Sequence, residues 1–273
     1  MIQFRNEHVT VFQSALFQTN STVVETKDMV LVVDPTWLPH EVEEIRAYVE
    51  RVRSGRLVYV LYTHADFDHI LGSGAFKDAK MIGSAAMAKL EDKQRRVEQI
   101  LQFDADFYAA RPYPVAFPTL HHEIENDGES IQVGNTRLTF FLTPGHTHDG
   151  LACLVEPLGL LIAGDYLSNV EFPFIEDSEA YEQTMQAFDH ILSDNTIRLL
   201  VPGHGTVTDC QHEIRKRIRQ SSSYIERLRT EVKCEKNELA AEIKKSYRYY
   251  RGLLKEHESN KQVIRKELGL ETT

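Results

Sequence analysis

Thr63-His64-Ala65-Asp66-Phe67-Asp68-His69 stands directly after Leu57–Tyr62, a short and continuously apolar run. Such a run reads as a strand buried on both faces, so the polar segment sits at the end of a rigid element. His64, Asp66, Asp68 and His69 can each ligate a metal. Their spacing, alternating and then adjacent, lets one turn aim the first two one way and the last two another. Three more segments repeat the setting, a polar ligand just past an apolar strand: Thr143-Pro144-Gly145-His146, Ala163-Gly164-Asp165 and Val201-Pro202-Gly203-His204-Gly205. A glycine beside each of these ligands lets backbone crowd close to whatever sits there. Ligands at several strand ends, converging on one edge, are how a rigid scaffold presents a metal site.

The rest of the chain alternates strand and helix signals. Val9–Phe17, Ser21–Thr26 and Met29–Val33 are β-branched or aromatic runs, the last stopped by Asp34-Pro35. Leu38–Val52 carries Val42, Ile45, Val49 and Val52 at helical spacing. Lys80–Gly83 is expected to be a strand. Residues 84–110, rich in Ala, Leu, Gln, Glu and Lys, read as one helix ended by Arg111-Pro112. Ile131–Val133 and Thr136–Leu142 flank Gly134-Asn135 as a hairpin, and Leu151–Val155 pairs with Leu160–Ala163. Ser178–Leu192 reads as helix and Arg198–Val201 as the last strand. From Thr208 onward only helices are expected: a charged run to Arg229, then Asn237–Lys255 and Ser259–Leu268. The expected organisation is a mixed strand–helix body over residues 1–207 and a helical C-terminal extension over 208–273.

Composition narrows the classes. With 42% hydrophobic and 26% charged residues in 273, the chain can bury a sizeable core and is no disordered tail. Its net charge of −10 argues against nucleic acid as partner. The charge is uneven: residues 211–273 hold 16 Lys+Arg against 10 Asp+Glu, leaving 15 against 31 for residues 1–210. Three scattered cysteines, Cys153, Cys210 and Cys234, make no disulfide framework, and MIQFRNEHVT lacks the apolar core of a leader, so a cytoplasmic location is expected. Leu151–Gly164, the most apolar stretch, is interrupted by Glu156-Pro157 and is too short to cross a bilayer.

His64-x-Asp66-x-Asp68-His69, TPGHT at 143–147, GD at 164–165 and PGHG at 202–205 together resemble the metallo-β-lactamase-fold hydrolase superfamily, in order and in separation, over residues 9–210. The resemblance implies an α/β fold, a four-layer αβ/βα sandwich with two divalent metal ions at one edge. It implies His64 and His146 for the first ion, Asp68, His69 and His204 for the second, and Asp165 between them. Asp34 would brace the histidine loop. One position departs: Asp66 stands where the family usually has a second histidine. A carboxylate can ligate zinc, the leading expectation, but its oxygen and negative charge move preference toward Mn²⁺ or Fe²⁺. Were Asp66 only a hydrogen-bonding residue, a single site would fill.

A divalent ion makes bound water acidic enough to ionise near neutral pH, and Asp68 is the best candidate to orient that water. Substrate contacts are sought at Tyr166, His148, Phe172 and Phe174, which follow the expected ligands in sequence. His121-His122 read as surface, and Arg111 as a capping or solvated cation. The basic cluster Arg215, Lys216, Arg217 and Arg219 reads as a solvated helical face on an acidic body or as a homodimer contact. The expected function is a hydrolase cleaving an ester, thioester or lactone of a small molecule. The alternatives are a phosphodiesterase or nuclease on the same centre, an iron-dependent redox member of the fold, and a metal-stabilised binding module.

Overall fold

In the computed structural model, which describes residues 1–270, the strands collect into two sheets. The seven-stranded sheet runs in chain order: β1 (Ile2–Arg5), β2 (Val9–Gln13), β3 (Asn20–Glu25), β4 (Met29–Val33), β5 (Leu57–Leu61), β6 (Lys80–Ser84) and β7 (His122–Ile124). Its first three pairings are antiparallel and its last three parallel. The five-stranded sheet contains β8 (Ser130–Val133), β9 (Thr136–Leu142), β10 (Leu151–Glu156), β11 (Leu160–Ile162) and β12 (Leu199–Val201), in the spatial order β12-β11-β10-β9-β8. Only β11 and β12 pair in parallel there. The helices are α1 (Pro39–Val52), α2 (Phe67–Ile70), α3 (Ala85–Ala88), α4 (Lys93–Asp106), α5 (Ser178–Asp194), α6 (Gln211–Lys233), α7 (Glu238–Ser246) and α8 (Tyr250–Glu267).

Side-chain alternation along the strands sorts these elements into four layers, because successive residues face opposite sides of a sheet. On β4, Val30 and Val32 pack against Val42, Ile45 and Val49 of α1, while Met29, Leu31 and Val33 face the other sheet. On β10, Leu151, Cys153 and Val155 meet them there, and Ala152 and Leu154 face α5 and α6. Helix, sheet, sheet and helix follow in that order, the expected αβ/βα sandwich. The apolar positions of the C-terminal helices, among them Ile218, Ile225, Leu239 and Ile264, join the same core cluster as β10 and α5.

Four expectations are corrected. The helix over 84–110 is two helices, because the Ser84 hydroxyl caps α3 by accepting from Met87 N and residues 89–92 break the run before α4. The one over Asn237–Lys255 stops at Ser246, and α8 begins at Tyr250. The strand from Val9 ends at Gln13, since Phe17 and Gln18 adopt positive φ. His121 is exposed as expected, its imidazole accepting from Met81 N at 3.1 Å, but His122 is half-buried in the edge strand β7, which pairs with β6.

Candidate metal centre

Both sheets deliver ligand-type side chains to one edge. His64 lies just beyond β5, Asp66 leads into α2, and α2 carries Asp68 and His69. From the second sheet come His146 after β9, Asp165 after β11 and His204 after β12. Asp165 is the hub. Its Oδ2 lies 3.3 Å from His204 Nε2, 3.4 Å from His146 Nε2 and 3.7 Å from His64 Nε2, and its Oδ1 lies 3.2 Å from His69 Nε2. Asp66 Oδ2 stands 3.6 Å from both His64 Nε2 and His146 Nε2, and Asp68 Oδ2 lies 3.5 Å from His69 Nε2 and 3.7 Å from His204 Nε2. Three groups could each hold a metal, His64–Asp66–His146, Asp68–His69–His204 and, drawing on both, His64–His69–Asp165, each with its ligand atoms within 4.8 Å of one another.

The imidazoles are aimed by what their other nitrogens touch, as metal-ligating histidines usually are. Asp34 accepts from Thr63 N at 2.9 Å and Thr63 Oγ1 at 2.6 Å, and its Oδ2 is 2.9 Å from His69 Nδ1, so it braces the loop as expected. His204 Nδ1 is 3.0 Å from Phe17 O, and His146 Nδ1 is 3.0 Å from Phe174 O. Gly203 is needed for space: a Cβ there would lie 2.1 Å from Asp165 Oδ1.

What remains exposed to the centre is a set of buried atoms without protein partners. Nε2 of His64, His69 and His146 and Oδ1 of Asp165 have no hydrogen-bond partner among the described residues. Leaving such groups unpaired in the interior is costly, and a cation satisfies all of them at once. The electrostatics agree. Burial opposes charge on His69 and His146, yet the surrounding carboxylates, Asp165 foremost for both, hold these imidazoles well above their ordinary range. His204 is pushed up to about 10 against the same burial, chiefly by Asp165 and Glu171. Burial would raise Asp165 and Asp66, but the imidazoles around them hold both well below the usual carboxylate range. The edge demands positive charge, and the donor set of imidazole and carboxylate fits divalent first-row ions.

The match to known proteins spans the segment that carries these residues. The family model of the metallo-β-lactamase superfamily covers residues 15–218. The chain belongs to this superfamily. A metallo-β-lactamase type 2 of Bacillus sp. (strain 170) is 24% identical over 204 residues, 72% of this chain and 71% of that one. A metallo-β-lactamase family protein of Thermus thermophilus shares the fold at a TM-score of 0.66 and 18% identity, covering 97% of this chain and 95% of that one. A double mutant of the sec-alkyl sulfatase PisA1 superposes over 98% of this chain at a TM-score of 0.74 and 14% identity, and this chain spans half its length. These superpositions reach into α6–α8, so the C-terminal helices belong to the shared architecture.

Other residues find different places in the superfamily fold. Tyr166 is buried and its hydroxyl is used: it donates toward Thr143 O and Pro144 O and accepts from His146 N at 2.8 Å, so it positions His146 and is not free for substrate. His148 points to solvent, its side chain 61% exposed and 3.7 Å from Glu176. Phe172 stacks on Tyr224 at 4.7 Å in the core, whereas Phe174 is partly buried 6.4 Å from His146. Cys153 is buried between the sheets, and burial pushes its thiol up, away from nucleophilic use. Arg111 is neither a cap nor solvated: it forks onto Asp104 and donates to Trp37 O. Arg217, from the basic cluster, is buried on Leu167 O and Thr206 O.

Two residues escaped the sequence reading. Arg96 of α4 pairs through Nη1 with Asp66 Oδ1. Glu171 is 3.8 Å from His204 Nδ1, and burial pushes its carboxyl up to about 7. A lone acid in the apolar run Val170-Glu171-Phe172-Pro173 was a readable signal; no local pattern marks Arg96.

Proposed function

We propose that this chain is a metal-dependent hydrolase whose dinuclear centre cleaves an ester, thioester or lactone of a small molecule. The observation that carries the reading is the pair of ligand triads on either side of Asp165. His64, Asp66 and His146 would hold one ion and Asp68, His69 and His204 the other, with Asp165 between them. When bound, such ions supply water that ionises near neutral pH and polarise the substrate oxygen.

The chain's own residues set the conditions for that chemistry. Asp34 and Phe17 O fix the tilt of His69 and His204, and Phe174 O that of His146, so the donors are held before substrate arrives. Asp68, whose Oδ2 lies 3.5 Å from His69 Nε2 and 3.7 Å from His204 Nε2, would hold the second ion with them and orient the water as well. Phe174 offers an apolar wall beside His146.

A small substrate is favoured over nucleic acid by charge. Residues 1–210 carry 15 Lys+Arg against 31 Asp+Glu, and three of the four cations of the basic cluster of α6 already have partners: Lys216 with Glu213 at 3.2 Å, Arg215 with Asp189 at 3.6 Å, and Arg217 in the interior, leaving Arg219 exposed. Among the described residues no helix is long and apolar enough to cross a membrane.

Elemental analysis of protein purified without chelator, with Zn, Mn and Fe supplied in turn, should approach two ions per chain. A panel of carboxylic esters, thioesters and lactones, with sulfate esters and phosphodiesters alongside, should then show turnover of a carboxylic class that a chelator abolishes. Loading that never exceeds one ion overturns the dinuclear centre. Turnover of phosphodiesters alone overturns the substrate class.

A further inference from the structure

Asp66 is the residue that departs from the family's histidine, and its two oxygens face different ways. Oδ2 faces His64 Nε2 and His146 Nε2, 3.6 Å from each. Oδ1 is taken by Arg96 Nη1. The guanidinium is well enclosed, its side chain 11% exposed, and Asp92 Oδ2 stands 3.4 Å from its Nε. Asp149 adds to the negative field at Arg96; it is buried, with both carboxylate oxygens lacking hydrogen-bond partners among the described residues. Arg96, on the first turn of α4, is therefore a cation held between Asp66 and Asp92.

We propose that Asp66 and Arg96 form one charge-compensated ligand: Asp66 Oδ2 serves the first metal position while Arg96 holds Oδ1 and cancels the carboxylate's charge. The pair then brings to the centre the net charge of a neutral imidazole. This rests on the dinuclear reading above and deepens it. A bare carboxylate in place of histidine would favour harder ions. A carboxylate whose charge is neutralised, and whose free oxygen is fixed, loses much of that bias and keeps zinc competitive. Asp66 and Arg96 must also change together. A histidine opposite Arg96 leaves a guanidinium facing both an imidazole and a divalent cation, with its closest carboxylate partner gone and only Asp92 and the field of Asp149 to offset it.

The experiment is a double-mutant cycle of Asp66→His, Arg96→Gln and both together, read by metal affinity in chelator competition and by the thermal midpoint of metal-free protein. Asp66→His alone should weaken the first position on the order of tenfold or more, the scale of a lost supporting partner, and lower the metal-free midpoint. Adding Arg96→Gln should restore most of both. Arg96→Gln alone should move the Zn-to-Mn affinity ratio toward Mn, and Arg96→Lys, which keeps the charge, should move it less. Additive effects across the cycle, in a parent that loads two ions, overturn the pairing and leave the dinuclear reading intact. A parent that never loads a second ion overturns both. A raised KM in Arg96→Gln with metal preference unchanged makes Arg96 a substrate contact and overturns the pairing too.

Discussion

His69 and His204 are fixed by groups of the first sheet and its loops, whereas His146 and Asp66 depend on parts of the chain outside both sheets. His69 leans on Asp34 at the end of β4, and His204 on Phe17 O and, at 3.3 Å, Thr19 Oγ1. His146 instead leans on Phe174 O, in a loop that Asn260 of α8 clamps: its side chain accepts from Ile175 N and donates to Pro173 O and Tyr224 Oη. Asp66 leans on Arg96 of α4. His69 and His204 thus rest on the first sheet and its loops, and His64 on Thr63 Oγ1 at 3.0 Å just past β5, whereas His146 and Asp66 also rest on contacts that α8 and α4 supply.

Asp165 is the one residue that the two halves share, so its loss should have the largest effect. Asp165→Ala should lower turnover by at least about 10³-fold, the scale of removing a principal electrostatic stabiliser. Elemental analysis should show both positions weakened. Retention of two ions with turnover cut only a few-fold would separate the halves entirely.

Asp34→Ala and Asn260→Ala divide the halves. Asp34→Ala orphans Thr63 N and His69 Nδ1, and should cost the second position about 10–100-fold in affinity. Asn260 is 2% exposed, and its removal leaves buried partners unpaired, costing about 1–3 kcal/mol of stability by denaturant titration. Its effect on metal binding should be smaller than that of Asp34→Ala and confined to the first position. Equal effects on both positions would show that the halves are not independently held.

The pH response of metal-free protein sharpens the same picture. His69, His146 and His204 have folded pKa values above the ordinary 6.5, so they stabilise the fold fully below 6.5 and progressively less as pH rises through their folded values, about 10 for His204. The thermal midpoint of metal-free protein should therefore fall between pH 7 and 10. Metal uptake at pH 7 should release protons measurable in weak buffer, and affinity should climb with pH. A flat metal-free midpoint across that range contradicts the electrostatic account of the edge.

Residues at strand ends were legible in the sequence because a rigid strand fixes direction and a neighbouring glycine betrays close approach. Leu57–Tyr62 with His64 beyond it follows the first logic, and His146, Asp165 and His204, each beside a glycine, follow both. The supports of the first triad were not legible. Arg96 lies 30 positions from Asp66 in a stretch that reads as one helix, and their meeting depends on tertiary packing. Asn260 is one polar residue among many on a charged helix, and its burial depends on tertiary packing. Tyr166 misled for the opposite reason: adjacency to Asp165 in sequence sends its hydroxyl to the 143–146 turn, away from the metal edge.

The smallest effect is expected at the basic face of α6, which is also where the substrate class can be broken. Arg215, Lys216 and Arg219 should be replaced by Gln together. Arg217 is left in place because its buried guanidinium holds Leu167 O and Thr206 O, and its loss would be read as unfolding. The pairs of Arg215 and Lys216 with Asp189 and Glu213 are exposed, and such pairs contribute about 0–1 kcal/mol each. Stability and small-ester turnover should therefore change by less than about twofold. Were a single-stranded nucleic acid the substrate, these cations would contact phosphates, and log affinity would fall with log salt at about −0.7 per contact. The acidic body opposes that encounter, so the intact chain should bind RNA weakly and the triple variant no differently. Tight, salt-sensitive RNA binding that disappears in the triple variant would move the substrate from small esters to phosphodiesters while leaving every ligand assignment at the metal edge in place.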